Sequence, residues 1–218
     1  MTRYIMVVDL RRCTGCQTCT AACKLANGTP PGVQWRRVLD IESGTYPDVR
    51  RTFLPVSCMH CSDPPCLKAC PTGATYQYAD GRVGINHSLC IGCAYCAVAC
   101  PYQQRFRVTK QEFAYGSEPT PAEARKFDSE RIGVSTKCTF CSDRIDLAQR
   151  TGRVPGVDPE VTPACVNSCI AGALHFGDRD DPDSNVSALL RDNRHFRLHE
   201  ELGTDPGVYY LYATEDEQ

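Results

Sequence analysis

The chain has 218 residues, 42% apolar and 23% charged, with a formal net charge of −2. That length suits one large or two small domains, but 16 of the apolar residues are cysteines, so the ordinary hydrophobic supply is thin for a core that stands alone. The balance of charge gives no basic face for nucleic acid, no run of about 18 apolar residues is there to cross a membrane, and Met1–Asp9 lacks the long apolar stretch of a signal peptide.

Residues 4–8 are apolar and alternate weakly, which predicts a strand leading to Arg11-Arg12. This arginine pair runs straight into Cys13, so it is not a twin-arginine export signal. Cys13, Cys16, Cys19 and Cys23 form a first group, with Gly15 permitting a tight turn. Thr20–Ala26 predicts a short helix closed by Asn27-Gly28. From Thr29 to Pro55 the chain is rich in Pro and Gly, with a weak strand at Val33–Ile41 and a turn near Ser43-Gly44. Trp35 reads as a core or sheet-packing residue, and Arg36-Arg37 and Arg50-Arg51 as solvated or close to whatever the cysteines hold.

Cys58, Cys61, Cys66 and Cys70 follow, then Pro71; Asp63-Pro64-Pro65 makes the extra length inside this second group a rigid bulge. Thr72–Tyr78 and Arg82–Ile85 around Ala79-Asp80-Gly81 predict a hairpin. The third group is Cys90-Ile91-Gly92-Cys93-Ala94-Tyr95-Cys96-Ala97-Val98-Ala99-Cys100-Pro101, so the group, hairpin, group unit is an internal duplication. Residues 103–137 read as a cysteine-free insertion, with a loop at Gly116–Pro121 before a helix at Ala122–Phe127. Cys138 and Cys141 open a helix through Ile145 and Leu147 that breaks at Thr151–Gly156. Cys165 and Cys169 complete the fourth group after 23 intervening residues. Ile170–Gly177 repeats the Gly-Ala-then-strand pattern that follows Cys70. Residues 178–218 read as a polar tail with a helix at Ser187–Arg191, a strand at Val208–Tyr212 and a solvated acidic end, Glu215-Asp216-Glu217.

The chemistry lies in the Cys-x2-Cys-x2-Cys-x3-Cys-Pro run from Cys90. Two-residue gaps turn three thiolates onto one face of a compact loop, where they hold three corners of a [4Fe–4S] cube, while the fourth characteristically reaches a neighbouring cube. Sixteen cysteines in four sets of four match four cubes with none left over. Disulfides fit poorly, because the spacing repeats in fours and no signal peptide is present. Zinc suits Cys138, Cys141, Cys165 and Cys169 taken alone, but not three cysteines at two-residue gaps. Each oxidised cube adds about two negative charges, which takes the loaded chain to near −10. If the cubes fill the interior, the chain does not fold without iron and sulfide.

His60, His87 and His175 read as supporting or surface residues, since thiolates already complete every cube. Lys68, between Cys66 and Cys70, has two readings: a solvated lysine on a short helix, or a cation near a cube that raises its potential. No catalytic set stands out, so the expected chemistry is one-electron transfer.

The order of the four groups, the phrase Cys58-x2-Cys61-x2-Pro64-Pro65-Cys66-x3-Cys70-Pro71, the Cys90–Pro101 run and Lys137-Cys138-Thr139-Phe140-Cys141 resemble the four-cluster electron-transfer (beta) subunit of the dimethyl sulfoxide reductase family of molybdopterin oxidoreductases. The resemblance runs to about Gly177 and more loosely beyond. It implies crossed ligand sets: Cys13, Cys16, Cys19 and Cys169; Cys23, Cys138, Cys141 and Cys165; Cys58, Cys61, Cys66 and Cys100; and Cys90, Cys93, Cys96 and Cys70. The fold to expect is α+β, two ferredoxin-like dicluster halves with loop insertions and a C-terminal tail. The halves are residues 1–55 plus 138–177, and residues 56–102; residues 103–137 are the insertion and 178–218 the tail. The implied role is a relay of single electrons between a large catalytic subunit, which carries a molybdenum or tungsten bis-pterin, and a membrane quinone-linked anchor subunit or a soluble acceptor.

Two features depart from the family pattern: Ile170 replaces the usual Pro after the last cysteine, and the gap from Cys141 to Cys165 is long, with Arg153–Val161 as a surface insertion. The alternative function is a free-standing soluble polyferredoxin. Clusters of this kind are expected to be assembled in the cytoplasm; the final side is open between the cytoplasm and co-export to the periplasm with the partner. The substrate is left open among arsenic oxyanions, sulfur compounds and phenylacetyl-coenzyme A.

Overall fold

β1 (Tyr4–Asp9) is buried along its whole length, and this explains the weak alternation of its sequence: a strand covered on both faces has no polar side to show. Tyr4, Met6 and Val8 pack into a core that also holds Cys19, Cys23, Cys61, Cys138 and Cys165. Ile5 and Val7 pack on the other face with Val186, Leu189 and Leu190. The computed structural model describes residues 2–212.

α1 (Thr18–Asn27) ends at Gly28, whose φ of 57° closes the helix in the left-handed region. β2 (Arg36–Thr45) and β3 (Asp48–Ser57) form a long antiparallel hairpin, in register from Arg36 opposite Ser57 to Thr45 opposite Asp48. The turn expected near Ser43-Gly44 therefore falls at Tyr46-Pro47, and β3 is a full strand that the reading of this stretch as loop had hidden. Gly44 serves the strand beside the turn: at φ 92°, a Cβ there would lie 2.2 Å from the Asp48 carbonyl oxygen.

α2 (Pro65–Lys68) starts at the proline pair, and β4 (Thr75–Gln77) pairs with β5 (Val83–Ile85) as the expected hairpin. α3 (Tyr95–Val98) occupies in the third group the place that α2 has in the second. β6 (Phe106–Arg107) pairs with β7 (Ser135–Thr136) and ties together the two ends of the insertion. Between them α4 (Pro121–Lys126) opens with a capping box, Thr120 and Glu123 each satisfying the other's backbone N–H. α5 (Ser142–Thr151), α6 (Ala164–Asn167) and β8 (Leu174–Asp178) complete the fourth group and its strand. The stretch Arg153–Val161 is only partly a surface loop. Val154 and Val157 are exposed, but Val161 is fully buried.

α7 (Asn185–Asp192), β9 (His195–Phe196) and β10 (Val208–Leu211) follow. The main sheet has the order β8-β1-β10-β9, with β1 antiparallel to β8 and parallel to β10. The stretch expected as a polar tail thus enters the sheet, because Val208–Leu211 is an apolar run with every residue at most 4% exposed. On the way it crosses to the second cysteine group, where the N–H groups of Ser62 and Asp63 donate to the carbonyls of Asp205 and Thr204 at 2.8 and 3.1 Å. The acidic end expected at Glu215-Asp216-Glu217 lies outside the described residues. Among the described residues no helix is long and apolar enough to cross a membrane.

Candidate metal centres

All sixteen cysteines carry free thiols, and the fold gathers them in sets that cross the sequence groups. Cys13, Cys16, Cys19 and Cys169 line one cavity. Cys58, Cys61, Cys66 and Cys100 line a second, and Cys70, Cys90, Cys93 and Cys96 a third. Each of the three is lined by four thiols. The remaining four are the deepest: Cys23, Cys138, Cys141 and Cys165 are 5 to 7% exposed, and each of the other three acts electrostatically on the Cys23 thiol.

The crossing has local and distant causes. In the middle groups, one-turn helices α2 and α3 end just before Cys70 and Cys100, so each fourth cysteine turns away from its own loop toward the neighbouring cavity. At the chain ends, the β1–β8 pairing brings Asp9 N–H onto the Ala173 carbonyl at 2.8 Å, which sets Cys13 beside Cys169.

The loops are shaped for an anionic, sulfur-rich occupant. Gly15 and Gly92 have φ of 69° and 67°, and two residues on, Gln17 and Ala94 have φ of 61° and 64°. A left-handed non-glycine residue costs about 1–2 kcal/mol, so its recurrence at matched positions marks a backbone shape that both sites require. A Cβ at Gly92 would run into the Gly133 carbonyl, which leaves no other residue for that position. Backbone N–H groups point at the sulfurs: Ala173 to Cys169 at 3.2 Å, Thr75 to Cys70 at 3.4 Å and Phe140 to Cys138 at 3.5 Å. The sets surround spaces instead of closing on a point, and among the described residues no three His, Cys, Asp or Glu side chains converge as a single ion requires. Four thiols around each space, with amide donors on the sulfurs, fit a [4Fe–4S] group.

Electrostatics separate the sites. Burial pushes the thiols of Cys61 and Cys141 up to about 12 and that of Cys138 up to about 11. At Cys70 slight burial also raises the thiol, but hydrogen bonds from Thr75 and Thr72 outweigh it and bring the value down to about 7. The sets form a row: Cys19 feels Cys165 of the next set, and Cys138 feels Cys58 of the one after. Cys66 and Cys96 share a small core cluster with Val83. At the two ends of the row, Cys16 and Cys93 are exposed.

Lys68 is the solvated lysine of its first reading. Its Nζ pairs with Asp63 Oδ2 at 2.7 Å, with both side chains more than half exposed. Trp35 is buried and its Nε1 donates to Thr136 Oγ1 at 3.2 Å. His60 is fully buried; its Nδ1 accepts the Val83 N–H at 2.9 Å, and its ring stacks on Phe140 at 3.7 Å. Burial, then the charges of Lys137 and Arg82, keep it neutral. Three buried cations belong to the sites: Arg36, for which closeness to the cysteines was one of two readings, and Arg105 and Lys137, which went unmarked as parts of the sites. The only signals were the Arg36-Arg37 doublet and the lysine directly before Cys138.

A family profile described as a 4Fe-4S dicluster domain matches residues 49–118. The chain is 41% identical over 221 residues to a selenate reductase subunit of Mesobacillus selenatarsenatis, covering 96% of this chain and 72% of that protein. It is 40% identical over 225 residues to a putative dimethyl sulfoxide reductase iron-sulfur subunit of Halobacterium salinarum, covering 97% and 79%. It is 35% identical over 236 residues to the arsenate respiratory reductase iron-sulfur subunit of a Shewanella species, covering 96% of each. With four thiol sets shaped for iron–sulfur groups and relatives matched over nearly its whole length, the chain belongs to the iron–sulfur electron-transfer subunits of the dimethyl sulfoxide reductase family of molybdopterin oxidoreductases.

Proposed function

We propose that this subunit relays single electrons between a large catalytic partner carrying a molybdenum or tungsten bis-pterin and a second redox partner, a membrane quinone-linked subunit or a soluble acceptor. The carrying observation is the row of four thiol sets with an exposed cysteine at each end, Cys16 and Cys93. Bound [4Fe–4S] groups supply one-electron redox chemistry. The ligand sets in the proposal are Cys13, Cys16, Cys19 with Cys169; Cys58, Cys61, Cys66 with Cys100; and Cys90, Cys93, Cys96 with Cys70, each supported by a shared cavity, and Cys23, Cys138, Cys141 with Cys165, supported by common burial and mutual charge.

Around the Cys93 end, Ile91, Tyr95 and Val98 are 66%, 63% and 87% exposed, and beside the other end Ile170 is 77% exposed. Apolar side chains left open at both ends of the row favour two docked partners over a free polyferredoxin. The relatives serve reductases named for selenate, dimethyl sulfoxide and arsenate at 35 to 41% identity. Such even similarity across different substrates supports a relay whose catalytic partner selects the substrate. Loading in the cytoplasm, before the complex reaches its working side, completes the proposal, since the core is built around the thiols.

Two measurements test it. The complex should hold about sixteen irons and sixteen sulfides per copy of this chain. Cys70→Ser should abolish the electron paramagnetic resonance signal of the site held by Cys90, Cys93 and Cys96 and spare that of Cys58, Cys61, Cys66 and Cys100. Zinc in place of iron, or loss of the Cys58 site instead, refutes the ligand sets. A fully loaded chain purified from its host as a lone monomer makes it a free carrier.

A further inference from the structure

Every gap in the row of thiol sets holds one buried cation. Between the Cys13 set and the Cys23 set stands Arg36, 1% exposed. Its Nη2 lies 3.8 Å from Cys165 Sγ, and its Nε and Nη1 have no hydrogen-bond partner. Its charge acts on Cys13 and Cys19 on one side and on Cys138 and Cys165 on the other.

Lys137, 2% exposed, stands between the Cys23 set and the Cys58 set. Its Nζ donates to the carbonyls of Cys138, at 2.8 Å, and of Val83, and its charge acts on Cys58 and Cys66 of one set and Cys138 of the other. Arg105, 7% exposed, lines both the Cys58 cavity and the Cys70 cavity. Its Nη2 lies 2.9 Å from Cys66 Sγ and its Nη1 donates to Thr75 Oγ1 at 3.0 Å.

The same molecule shows what an ordinary buried arginine looks like. Arg82 is also 1% exposed, and it pairs with both Asp80 and Asp146. Among the described residues none of the ion pairs includes Arg36, Lys137 or Arg105. A buried cation without a counter-charge costs several kcal/mol, and three of them recur, one wherever two thiol sets adjoin. The missing negative charge is the one that loaded clusters carry.

We propose that Arg36, Lys137 and Arg105 are the counter-cations of the cluster row, each shared by the two sites beside it, and that they raise the reduction potentials of both neighbours together. The proposal rests on the ligand sets given above. A positive charge favours the more negative, reduced state of a nearby cluster. Because each cation stands between two sites, it favours an added electron on either one, so the row stays level along its length.

The test is a redox titration of the purified complex, followed by electron paramagnetic resonance, for Arg36→Gln, Lys137→Gln and Arg105→Gln beside the charge-retaining Arg36→Lys and Arg105→Lys. Arg36→Gln should lower two of the four potentials, each by at least a tenfold change in equilibrium constant, which is 59 mV for one electron. Arg105→Gln should lower the other two, and Lys137→Gln one from each pair. The Lys variants should change each constant less than about threefold, since the charge is kept although the fork geometry is not. Potentials that shift all together or not at all overturn the assignment, as do Gln and Lys variants that behave alike. Iron lost from the Gln variants alone would place the charge requirement in assembly and overturn the redox role. Iron below sixteen in the unsubstituted complex would instead strike the ligand sets, and it is read separately from the potentials.

Discussion

The middle and the ends of this chain each hold eight cysteines, and they assemble them by different means. The middle sets draw only on the stretch from Cys58 to Cys100, whose two loops, two one-turn helices and intervening hairpin are neighbours in sequence. The end sets join Cys13 to Cys169 and Cys23 to Cys165, and they exist only once β1 has paired with β8 and β10. Burial cuts across this division, because one set from each half leaves a cysteine exposed, Cys16 at the ends and Cys93 in the middle. The Cys23 set is buried at every cysteine, while the Cys70 set leaves Cys93 exposed. A site made by local chain reversal can form early; a site made by closing the chain on itself depends on the whole fold.

The largest test of this contrast is removal of iron. Cys19, Cys23, Cys138 and Cys165 pack in one core with Tyr4, Met6 and Tyr210, so emptying the sites removes the metal–ligand free energy that holds β1 against its partners. Chelation should abolish slow amide exchange in β1, β8 and β10 and leave residual protection in the β4–β5 hairpin. Native exchange rates in the iron-free chain would break the comparison.

Next is Tyr210→Ala. Tyr210 is fully buried, its hydroxyl donates to the Pro55 carbonyl at 3.0 Å, and its ring stacks on Phe196. Truncation of a large buried ring costs about 3–5 kcal/mol. Thermal bleaching of cluster absorbance should move to lower temperature, with the end sites lost before the middle ones; simultaneous loss would show that the halves are a single unit.

Acid should separate the sites more gently. Protons compete with iron for thiolates, and a thiol raised in the fold holds its proton more tightly, so its site gives up iron at higher pH. With Cys138 and Cys141 held up to about 11 and 12 and Cys70 down to about 7, the Cys23 set should release iron before the Cys70 set as pH falls. Site-resolved resonance after equilibration with a chelator reads the order, and the reverse order would sink the electrostatic contrast.

The smallest expected effect is Lys68→Glu. An exposed pair such as Lys68 with Asp63 contributes about 0–1 kcal/mol, and the side chain is 66% exposed. Iron content and all four potentials should stay at their original values, in contrast to the buried cations. A moved potential would return Lys68 to the cluster row.

The middle region was legible because its signals are local. Two-residue gaps, a proline after the last cysteine and an Asp-Gly turn specify loops within a few residues of themselves, and the helices after Cys19 and Cys141 showed by their periodicity and their closing glycines. β3 was missed because arginines and a proline interrupt its alternation, and Gly44 drew the turn away from Tyr46-Pro47.

Residue types and spacing alone determined that sixteen thiols come in four sets, and that the chemistry is iron–sulfur electron transfer. Tertiary structure decided how the ends meet. That the apolar Val208–Leu211 run pairs with β1, and not with a nearer strand, depends on long-range pairing that no local pattern encodes. It also decided which charges matter. Lys68 sits between two cysteines in sequence yet points to solvent, whereas Arg36 and Arg105 lie outside any motif and end against sulfur. Spacing along a chain reports what a loop can hold; the field at a buried site is set by the side chains that packing brings to it from elsewhere.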